Sequence, residues 1–507
     1  MKYKNPIIPG CYPDPSICST GDDFYLVNST FEFFPGVPVF HSRDLLTWEQ
    51  IGHCISRSSQ LKYATGMQNN SGIYAPSIRY RDGIFYMVTT NVNHDTGDTG
   101  NFYVWTTDPA GEWSDPVFLG TPGIDPSLFF DEDGRSYYIG TYHNIYICEI
   151  DLQAGKIIGD RKEIWGGTGG SYPEGPHLYK KDGWYYLLIS EGGTERCHMI
   201  TMARSRNISG PYEACPNNPV LTNRSLGLTI ESIGHADMVQ DKEGYWWAIC
   251  LGTRTFSYPP KHNLGRETML VPVEWSGDWP VFGNQGRVEE EMEVSHLPAS
   301  VKNTTEETAF CYKDNFGGEA LNMSWNFIYN PDDSLWSMGK EGLVLHGNEK
   351  SLSDADVIAW VGRRQQHHNS ETRVTLSYAS VQEGEEAGIT AFMNNRHHYE
   401  TAILQKDGER KLIFRRQIGS LWKIEKELPW ESGKVTLEIR SDKENYLFNY
   451  LTPEGQWKEI GRGEVQYLTT EVGGSFTGNY IGLYAAGNGY KSKSPAYFTE
   501  FSYRQII

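Results

Sequence analysis

Short apolar runs separated by polar turns fill the first 290 residues, and one form of this pattern occurs five times. Each copy has a turn containing acidic residues and glycine, then a pair of aromatic residues, then an apolar run. This order predicts a β-hairpin, because Asp and Gly favour tight turns and aromatic residues favour strands. The aromatic pairs begin at Phe24, Phe85, Tyr137, Tyr185 and Tyr245.

The spacing of these hairpins indicates a repeat architecture. The shortest step, from Tyr137 to Tyr185, is 48 residues, and the longest, from Phe24 to Phe85, is 61 residues. Repeats of roughly 40 to 50 residues built from short strands are typical of a β-propeller with about four strands in each blade. The sequence therefore predicts an all-β fold that begins with a five-bladed β-propeller over residues 1–296.

A second domain is expected where the amino-acid composition of the chain changes. Residues 297–315 are polar and rich in Thr and Glu, which predicts a linker. Apolar and polar residues alternate again beyond it, as in KVTLEIR at 434–440, so residues 316–507 are predicted to form a β-sandwich. This domain could pack on the propeller or act as a carbohydrate-binding module. Packing is the preferred interpretation, because no aromatic platform or calcium loop is obvious there.

The net charge limits the classes of partner that the protein can bind, and the cysteine content indicates its compartment. The chain has 64 acidic and 45 basic side chains and a formal net charge of −19, which argues against nucleic acid and anionic membranes as partners. The eight cysteines form no CxxC pair, so a reducing compartment is expected, although Cys11 and Cys18 could pair. No signal peptide is visible at residue 1, and a cytoplasmic location is expected unless a leader has been trimmed.

The candidate functional residues lie one strand before each hairpin turn. The residues that open these strands stand 10 to 12 positions before the aromatic pair, and they are predicted to be equivalent. The first strand of a propeller blade lines the central channel, so these side chains should converge on the axis. Pro13 and Pro15 restrict the first of them and favour an extended backbone there. The five axial residues are Asp14, Ala75, Asp125, Glu174 and His235.

Three carboxylates on one axis favour glycoside hydrolysis. Like charges in a cleft push pKa values apart, so that one carboxyl holds a proton while another is ionised. That division matches the needs of a glycosidase, in which one group protonates the leaving oxygen and another activates water or attacks the sugar. The alternative interpretation is three solvated acids that each cap a turn.

Six stretches resemble glycoside hydrolase family 43, the five-bladed propeller β-xylosidases and α-L-arabinofuranosidases. The resemblance implies inversion of configuration and three roles: Asp14 as the general base, Glu174 as the general acid, and Asp125 as the group that tunes and orients that acid. The matching stretches are NPIIPGCYPDPSI, STFEFFPGVPVFHSRDLLTW, GIYAPSIRYRDGIFY, GIDPSLFFDEDG, YPEGPHLYKKDGWYYLLISEGGT and HNLGRETMLVPVEW.

The same resemblance implies substrate contacts and an ion. Arg266 resembles the arginine that holds sugar hydroxyls, with a surface salt bridge as the alternative, and Phe31 resembles the apolar wall of the pocket, with a loop anchor as the alternative. Tyr74, beside Ala75, stands where many relatives carry Trp. His235 corresponds to an axial histidine that also contacts substrate or faces a bound calcium ion in several relatives; a satisfied core histidine is the alternative. No cofactor is required.

The predicted function is an exo-acting glycosidase that releases a terminal pentose from short xylo- or arabino-oligosaccharides. A β-1,4-xylosidase is the first expectation, and an α-L-arabinofuranosidase with the same three carboxylates is the alternative. The alternative of another class is a non-catalytic sugar-binding propeller, which would not need three axial carboxylates. A homo-oligomer is left open by the sequence.

Overall fold

A computed structural model of the chain describes residues 1–63, 65–67, 69–93, 99–297 and 309–507. In these ranges the helical segments are one 3₁₀ turn, Val465–Leu468, and one short α-helix, Thr470–Gly473. Strands and turns make up almost everything else. The all-β prediction, a propeller followed by a sandwich, is confirmed.

Five sheets follow one another along the described part of residues 16–282, and each is named here as a blade. Blade 1 contains Ser16–Thr20, Asp23–Val27, Gly36–Ser42 and Glu49–Ile55. Blade 2 contains Ser77–Arg81 with Gly72–Ile73, then Ile84–Val92, Thr99–Thr106 and Val117–Phe118. Blade 3 contains Ile124–Phe130, Ser136–Tyr142, Asn144–Asp151 and Lys156–Trp165. Blade 4 contains Glu174–Lys181, Trp184–Glu191, Met199–Ser205 and Glu213–Ala214. Blade 5 contains Ile230–Gln240, Trp246–Arg254, Glu267–Ser276 and Trp279–Phe282.

The blades form a closed ring around a central channel. The first, inner strand of each blade contacts the inner strands of its two neighbours, and blade 5 contacts blade 1 in the same way. The chain ends of the propeller are tied together, because Lys2–Lys4 pairs with Glu291–Glu293. The Asn5 side chain adds hydrogen bonds to the backbone of Leu270 in blade 5.

The propeller core lies between the faces of neighbouring blades rather than in one centre. Each gap between two blades holds its own apolar cluster. The aromatic pairs of the sequence pattern lie on the second strands and supply part of this core. Tyr138, for example, packs between blades 2 and 3 together with Tyr103. The aromatic pairs that predict the hairpins therefore reflect packing between blades, because each pleated face must be covered by the next blade.

The second domain is a sandwich of two antiparallel sheets around one large core. Its first sheet contains Trp336–Gly339, Gly342–Leu345, Ala496–Gln505, Ser370–Ser377, Lys434–Ser441, Asn445–Leu451 and Trp457–Glu464. Its second sheet contains Ala359–Arg364, Tyr480–Ala486, Glu386–Asn394, His397–Lys406, Glu409–Ile418 and Leu421–Pro429. Cys311–Asp314 also pairs with Ala496–Gln505, so the end of the predicted linker belongs to the sandwich. Residues 298–308 of that linker lie outside the described residues.

The sandwich packs directly on the propeller. Phe33–Phe34 pairs with Phe327–Ile328 across the interface, and the Phe33 ring stacks on Tyr480 with 4.1 Å between centroids. Arg364 of the sandwich donates a 2.7 Å hydrogen bond to the carbonyl oxygen of Cys11. The outer face of the second sheet carries a buried ion pair between Arg415 and Glu386. These contacts agree with a packing role, because a sugar platform would need an open face.

The eight cysteines are all free thiols, and Cys11 and Cys18 do not pair. Among the helices that the structure describes, none is long and apolar enough to span a membrane.

Candidate active site

The inner strands of blades 3, 4 and 5 each contain a β-bulge near one end of the channel. In blade 3 the strand advances three residues, from Ile124 to Ser127, where its partner advances two. Blades 4 and 5 repeat this shift at Gly175 and His235. Their backbones are left-handed, with φ of 53° at Asp125, 57° at Gly175 and 49° at His235. A bulge bends its strand and redirects the bulged side chain.

Asp14 has the same backbone conformation just before the inner strand of blade 1. Its φ is 52°, so the extended conformation expected beside Pro15 is wrong. Asp and His are among the few residues other than Gly that adopt this region with some frequency. The fold uses them at Asp14, Asp125 and His235, where their short polar side chains face the channel.

One of the predicted equivalences is also wrong. The bulges align Gly175, and not Glu174, with Asp125 and His235. Glu174 lies one residue earlier, in the position that Tyr74 and Ile124 hold in blades 2 and 3. Its side chain reaches the same cavity from that position. The spacing to the aromatic pair varies by two residues between blades, so spacing could not detect a shift of one.

One cavity of about 580 Å³ collects all the predicted site residues. Residues that the sequence prediction missed line it as well, namely Asn69, Asn70, Ile124, Thr194 and Phe476. The predicted residues that line it are Asp14, Phe31, Tyr74, Ala75, Asp125, Glu174, His235 and Arg266.

Asp14 lies buried among hydrogen-bond donors and positive charge. Arg266 Nη1 donates to Asp14 Oδ1 at 2.8 Å, and the Ser29 hydroxyl donates to Oδ2. Burial alone would raise the pKa of Asp14, but the Arg266 guanidinium, His235 and the Ser29 hydrogen bond lower it below its ordinary value. Asp14 is therefore ionised at neutral pH, as a general base must be.

Asp125 and Glu174 form a close acidic pair. Carboxylate oxygens of these two residues and a ring nitrogen of His235 all lie within 4.8 Å of one another. Burial, then the charge of Glu174, then that of Asp14 raises the pKa of Asp125 well above its ordinary value. Asp125 therefore gives up its proton at a higher pH than Asp14 does.

His198 is a neighbour of this pair that the sequence prediction missed. Its Nε2 lies 3.2 Å from Glu174 Oε1, and its ring is fully buried. The ring packs against Gly234, where a Cβ atom would approach its Cε1 and Nδ1 to 2.0 Å. His198 therefore lies beside one side of the Glu174 carboxyl. It stands in ERCHMI, just before the third strand of blade 4, where no repeat pattern marks a channel residue.

Arg266 is buried rather than part of a surface salt bridge. Besides Asp14, it donates 2.9 Å to the hydroxyl of Thr194. Its guanidinium carbon lies 5.5 Å from the ring centroid of Phe31 and 5.5 Å from that of Phe476. Arg266 therefore meets Asp14 and lines the cavity at the same time, so one cation can serve both the base and a bound sugar.

Aromatic rings from both domains wall the cavity. The Phe31 centroid lies 5.4 Å from that of Tyr74 and 5.7 Å from that of Phe476. Phe476 comes from the sandwich, and its backbone N–H donates 2.5 Å to the Asn70 side chain of the propeller. Asn70 also donates to the carbonyl oxygen of Gly474. A sequence read domain by domain gives no signal for such a contact.

The geometry agrees with similarities to known proteins. The sequence model of Glycosyl hydrolases family 43 matches residues 3–280, and that of the Beta xylosidase C-terminal Concanavalin A-like domain matches residues 313–504. A non-reducing-end α-L-arabinofuranosidase of Bacteroides ovatus is 39% identical over 512 residues, which cover 99% of this chain and 94% of the relative.

Two further similarities extend over both domains. A xylosidase/arabinosidase of Butyrivibrio fibrisolvens is 38% identical over 99% of each chain. The solved structure of a xylan β-1,4-xylosidase from Bacillus halodurans has a TM-score of 0.92 and 32% identity, covering 99% of this chain and 100% of that one.

Proposed function

Because the chain belongs to glycosyl hydrolases family 43, we propose that it is an exo-acting, inverting glycosidase that releases terminal xylose or arabinose from hemicellulose-derived oligosaccharides. The observation that carries the proposal is that three carboxylates line one cavity, Asp125 and Glu174 as a close pair and Asp14 beside Arg266. The pKa of Asp14 is lowered by Arg266, whereas burial and the charge of Glu174 raise that of Asp125. Hydrolysis by inversion needs a base for water and an acid for the leaving oxygen.

The roles follow from these surroundings. Asp14 removes a proton from the attacking water, while Arg266 holds it ionised and contacts the sugar hydroxyls. Glu174 protonates the leaving oxygen, with His198 on one side of its carboxyl group and Asp125 on the other. His235 lies 3.9 Å from Asp14 Oδ1 and supports that carboxylate.

Exo action is supported by the name of one relative, the non-reducing-end α-L-arabinofuranosidase of Bacteroides ovatus. Phe476 from the second domain completes the lining of the cavity that the propeller residues form. The substrates proposed are short xylo- and arabino-oligosaccharides, in line with the names of the relatives.

The two pentosides are proposed to share this pocket, with β-1,4-xylosidase activity first. An α-L-arabinofuranosidase is the second candidate, favoured by the 39% identity to the Bacteroides ovatus enzyme of that name. The sugar-binding alternative is set aside, since a propeller that only binds sugar has no use for three carboxylates in one cavity. A cytoplasmic location remains a prediction from the sequence, which leaves the oligomeric state open.

A panel of nitrophenyl glycosides tests the proposal. Turnover is expected on the β-D-xyloside and the α-L-arabinofuranoside, and a β-D-glucoside serves as the control for a larger sugar. No turnover on either pentoside would contradict the proposal. Proton NMR of the first product from the β-xyloside should show α-xylose, and β-xylose would mean that the configuration is retained.

Family 43 enzymes generally act without a cofactor. The calcium ion that the resemblance implies beside His235 stays a prediction. His235, Asp125 and Glu174 offer possible ligand atoms within 4.8 Å of one another. Because metal binding needs deprotonated ligands, an ion bound there would compete with the proton that Glu174 donates.

A further inference from the structure

A buried guanidinium lies in the channel below the pocket. Arg79 belongs to the inner strand of blade 2, four residues after Ala75. Side chains two residues apart on a strand share a face, so Arg79 points into the channel like Ala75, two steps further from the pocket. Its side chain is 15% exposed. The sequence pattern PSIRYR gives no hint of such a role.

Arg79 pairs with a carboxylate from the far side of the ring. Its Nη1 donates to Asp237 Oδ2 at 2.7 Å, and its Nη2 donates to Asp237 Oδ1 at 3.0 Å. Asp237 belongs to the inner strand of blade 5, two residues after His235. Nη1 also donates to the carbonyl oxygen of Ile78 at 2.8 Å. The pair is bidentate, which is the strongest geometry available to Arg and a carboxylate.

The Asp237 carboxylate has no acceptor capacity left. Besides the two bonds from Arg79, it accepts four more, from Ser16 Oγ, Ile17 N, Tyr179 Oη and Met238 N. Six donors saturate a group that has about four lone-pair sites. Burial would raise the pKa of Asp237, but the charge of Arg79 and the hydrogen bonds from Arg79 and Ser16 lower it, so the charge persists. The network joins the inner strands of blades 1, 2, 4 and 5.

His177 completes the network as a neutral ring. Its Nδ1 lies 2.7 Å from Arg79 Nη2. Because a guanidinium can only donate, Nδ1 must be the acceptor and any ring proton sits on Nε2. Burial lowers the pKa of His177 to about 3, in agreement with an uncharged ring. A second cation at this level of the channel would be repelled by the Arg79 charge. It would also have neither a free oxygen of the Asp237 carboxylate nor a free nitrogen of His177 as a ligand.

From this arrangement we infer that Arg79 is the axial cation of the propeller, in the place where an ion would otherwise neutralise Asp237. The side chain binds the oxygen atoms that a hard cation would take: the Asp237 carboxylate and the Ile78 carbonyl, with Ser16 Oγ at 3.3 Å. The protein therefore folds and turns over without a divalent cation in the channel. Removal of the Arg79 side chain leaves a buried oxygen-lined site of the kind that Ca²⁺ prefers.

Thermal unfolding with and without Ca²⁺ tests the inference on the full chain. Wild-type Tm and turnover should be the same in EDTA and in millimolar Ca²⁺. Arg79→Ala should lower Tm by about 5–10 °C in EDTA, because removal of one partner leaves a buried charge uncompensated. Calcium should restore part of that loss by binding only the folded state. Arg81→Ala, two residues along the same strand, is the matched control and should show no calcium response.

Arg79→Lys tests whether the positive charge at this position, rather than the shape of the guanidinium group, keeps calcium away from Asp237. A lysine keeps a cation near Asp237, so this variant should unfold below wild type but show no calcium response. It also decides the matter if Arg79→Ala does not fold, since a calcium-dependent Tm in the lysine variant would contradict the inference. The inference is equally overturned if EDTA lowers wild-type Tm or turnover and Ca²⁺ restores it. An Arg79→Ala variant that matches wild type in EDTA, or that ignores Ca²⁺, overturns it too.

Discussion

Asp14 and Glu174 share one pocket but differ in what surrounds their carboxyl groups, and this difference can be measured through the leaving group. Protonation by Glu174 matters little when the departing phenol is acidic, whereas activation of water by Asp14 is needed whatever departs. A general acid or base contributes about 10²- to 10⁴-fold to the rate. Glu174→Ala should therefore cost much more kcat/KM on xylobiose than on a nitrophenyl xyloside. Asp14→Ala should cost a similar factor on both.

The reverse pattern of kcat/KM losses would mean that the roles of Asp14 and Glu174 are exchanged. If Asp14→Ala recovers with the better leaving group and Glu174→Ala does not, then Asp14 is the acid. Asp14→Asn serves as the matched control for shape, because it keeps the hydrogen bond from Arg266 and removes the charge.

The pH profile of kcat/KM reports on Asp125. Burial and the charge of Glu174 raise the pKa of Asp125, so the pair keeps its proton up to a higher pH than a single carboxyl would. Asp125→Asn removes one of the two charges that hold this proton. The basic limb should therefore move to lower pH, while the acidic limb stays in place because the contact between Asp14 and Arg266 is intact. An unchanged basic limb would remove Asp125 from this role.

At the level of the strand, the bulge in blade 4 depends on a glycine. Gly175 has φ of 57°, and a Cβ atom there would lie 3.0 Å from Cε1 of His235. Gly175→Ala should cost about 1–3 kcal/mol of unfolding free energy through backbone strain, and it should lower kcat/KM by displacing His235. Urea unfolding and steady-state kinetics measure the two effects.

Gly159→Ala is the matched control for that change. Gly159 has φ of 71°, and a Cβ atom there would meet nothing within 4 Å. This variant should lose stability from strain alone and keep full kcat/KM. Equal activity in both alanine variants would mean that the contact with His235 has no part in the site.

The elements show which parts of the fold a sequence can predict. The hairpins, the order of the blades and the convergence of Asp14, Asp125 and Glu174 can be predicted from local spacing, because the turn and the aromatic pair of each hairpin lie within ten residues of each other. The bulges cannot be predicted in this way, since one extra residue in a strand leaves the alternation on either side intact. Contacts between distant strands are also beyond such reading: His198, Arg79 and Phe476 owe their places to the closure of the ring or to domain packing.

For the whole molecule, the interface between the domains is part of the active site. Phe476 lines the cavity from the sandwich side and lies beside Arg266, and its backbone N–H donates a hydrogen bond to Asn70 of the propeller. Neither domain alone therefore contains the complete pocket. The acidic net charge of −19 does not oppose this function, because the proposed oligosaccharides are neutral.

Phe476→Ala tests whether the sandwich contributes to binding. Loss of the ring opens the pocket wall and removes one of the two aromatic rings beside Arg266, which should raise KM by about tenfold, corresponding to about 1.4 kcal/mol. The change in kcat should be smaller, because Asp14 and Glu174 keep their contacts within the propeller. Val472→Ala, at an exposed position of the same segment, should leave both constants unchanged. A wild-type KM in Phe476→Ala would mean that the propeller alone binds the sugar. A fall in kcat with KM unchanged would instead mean that Phe476 acts on the reacting groups through Arg266.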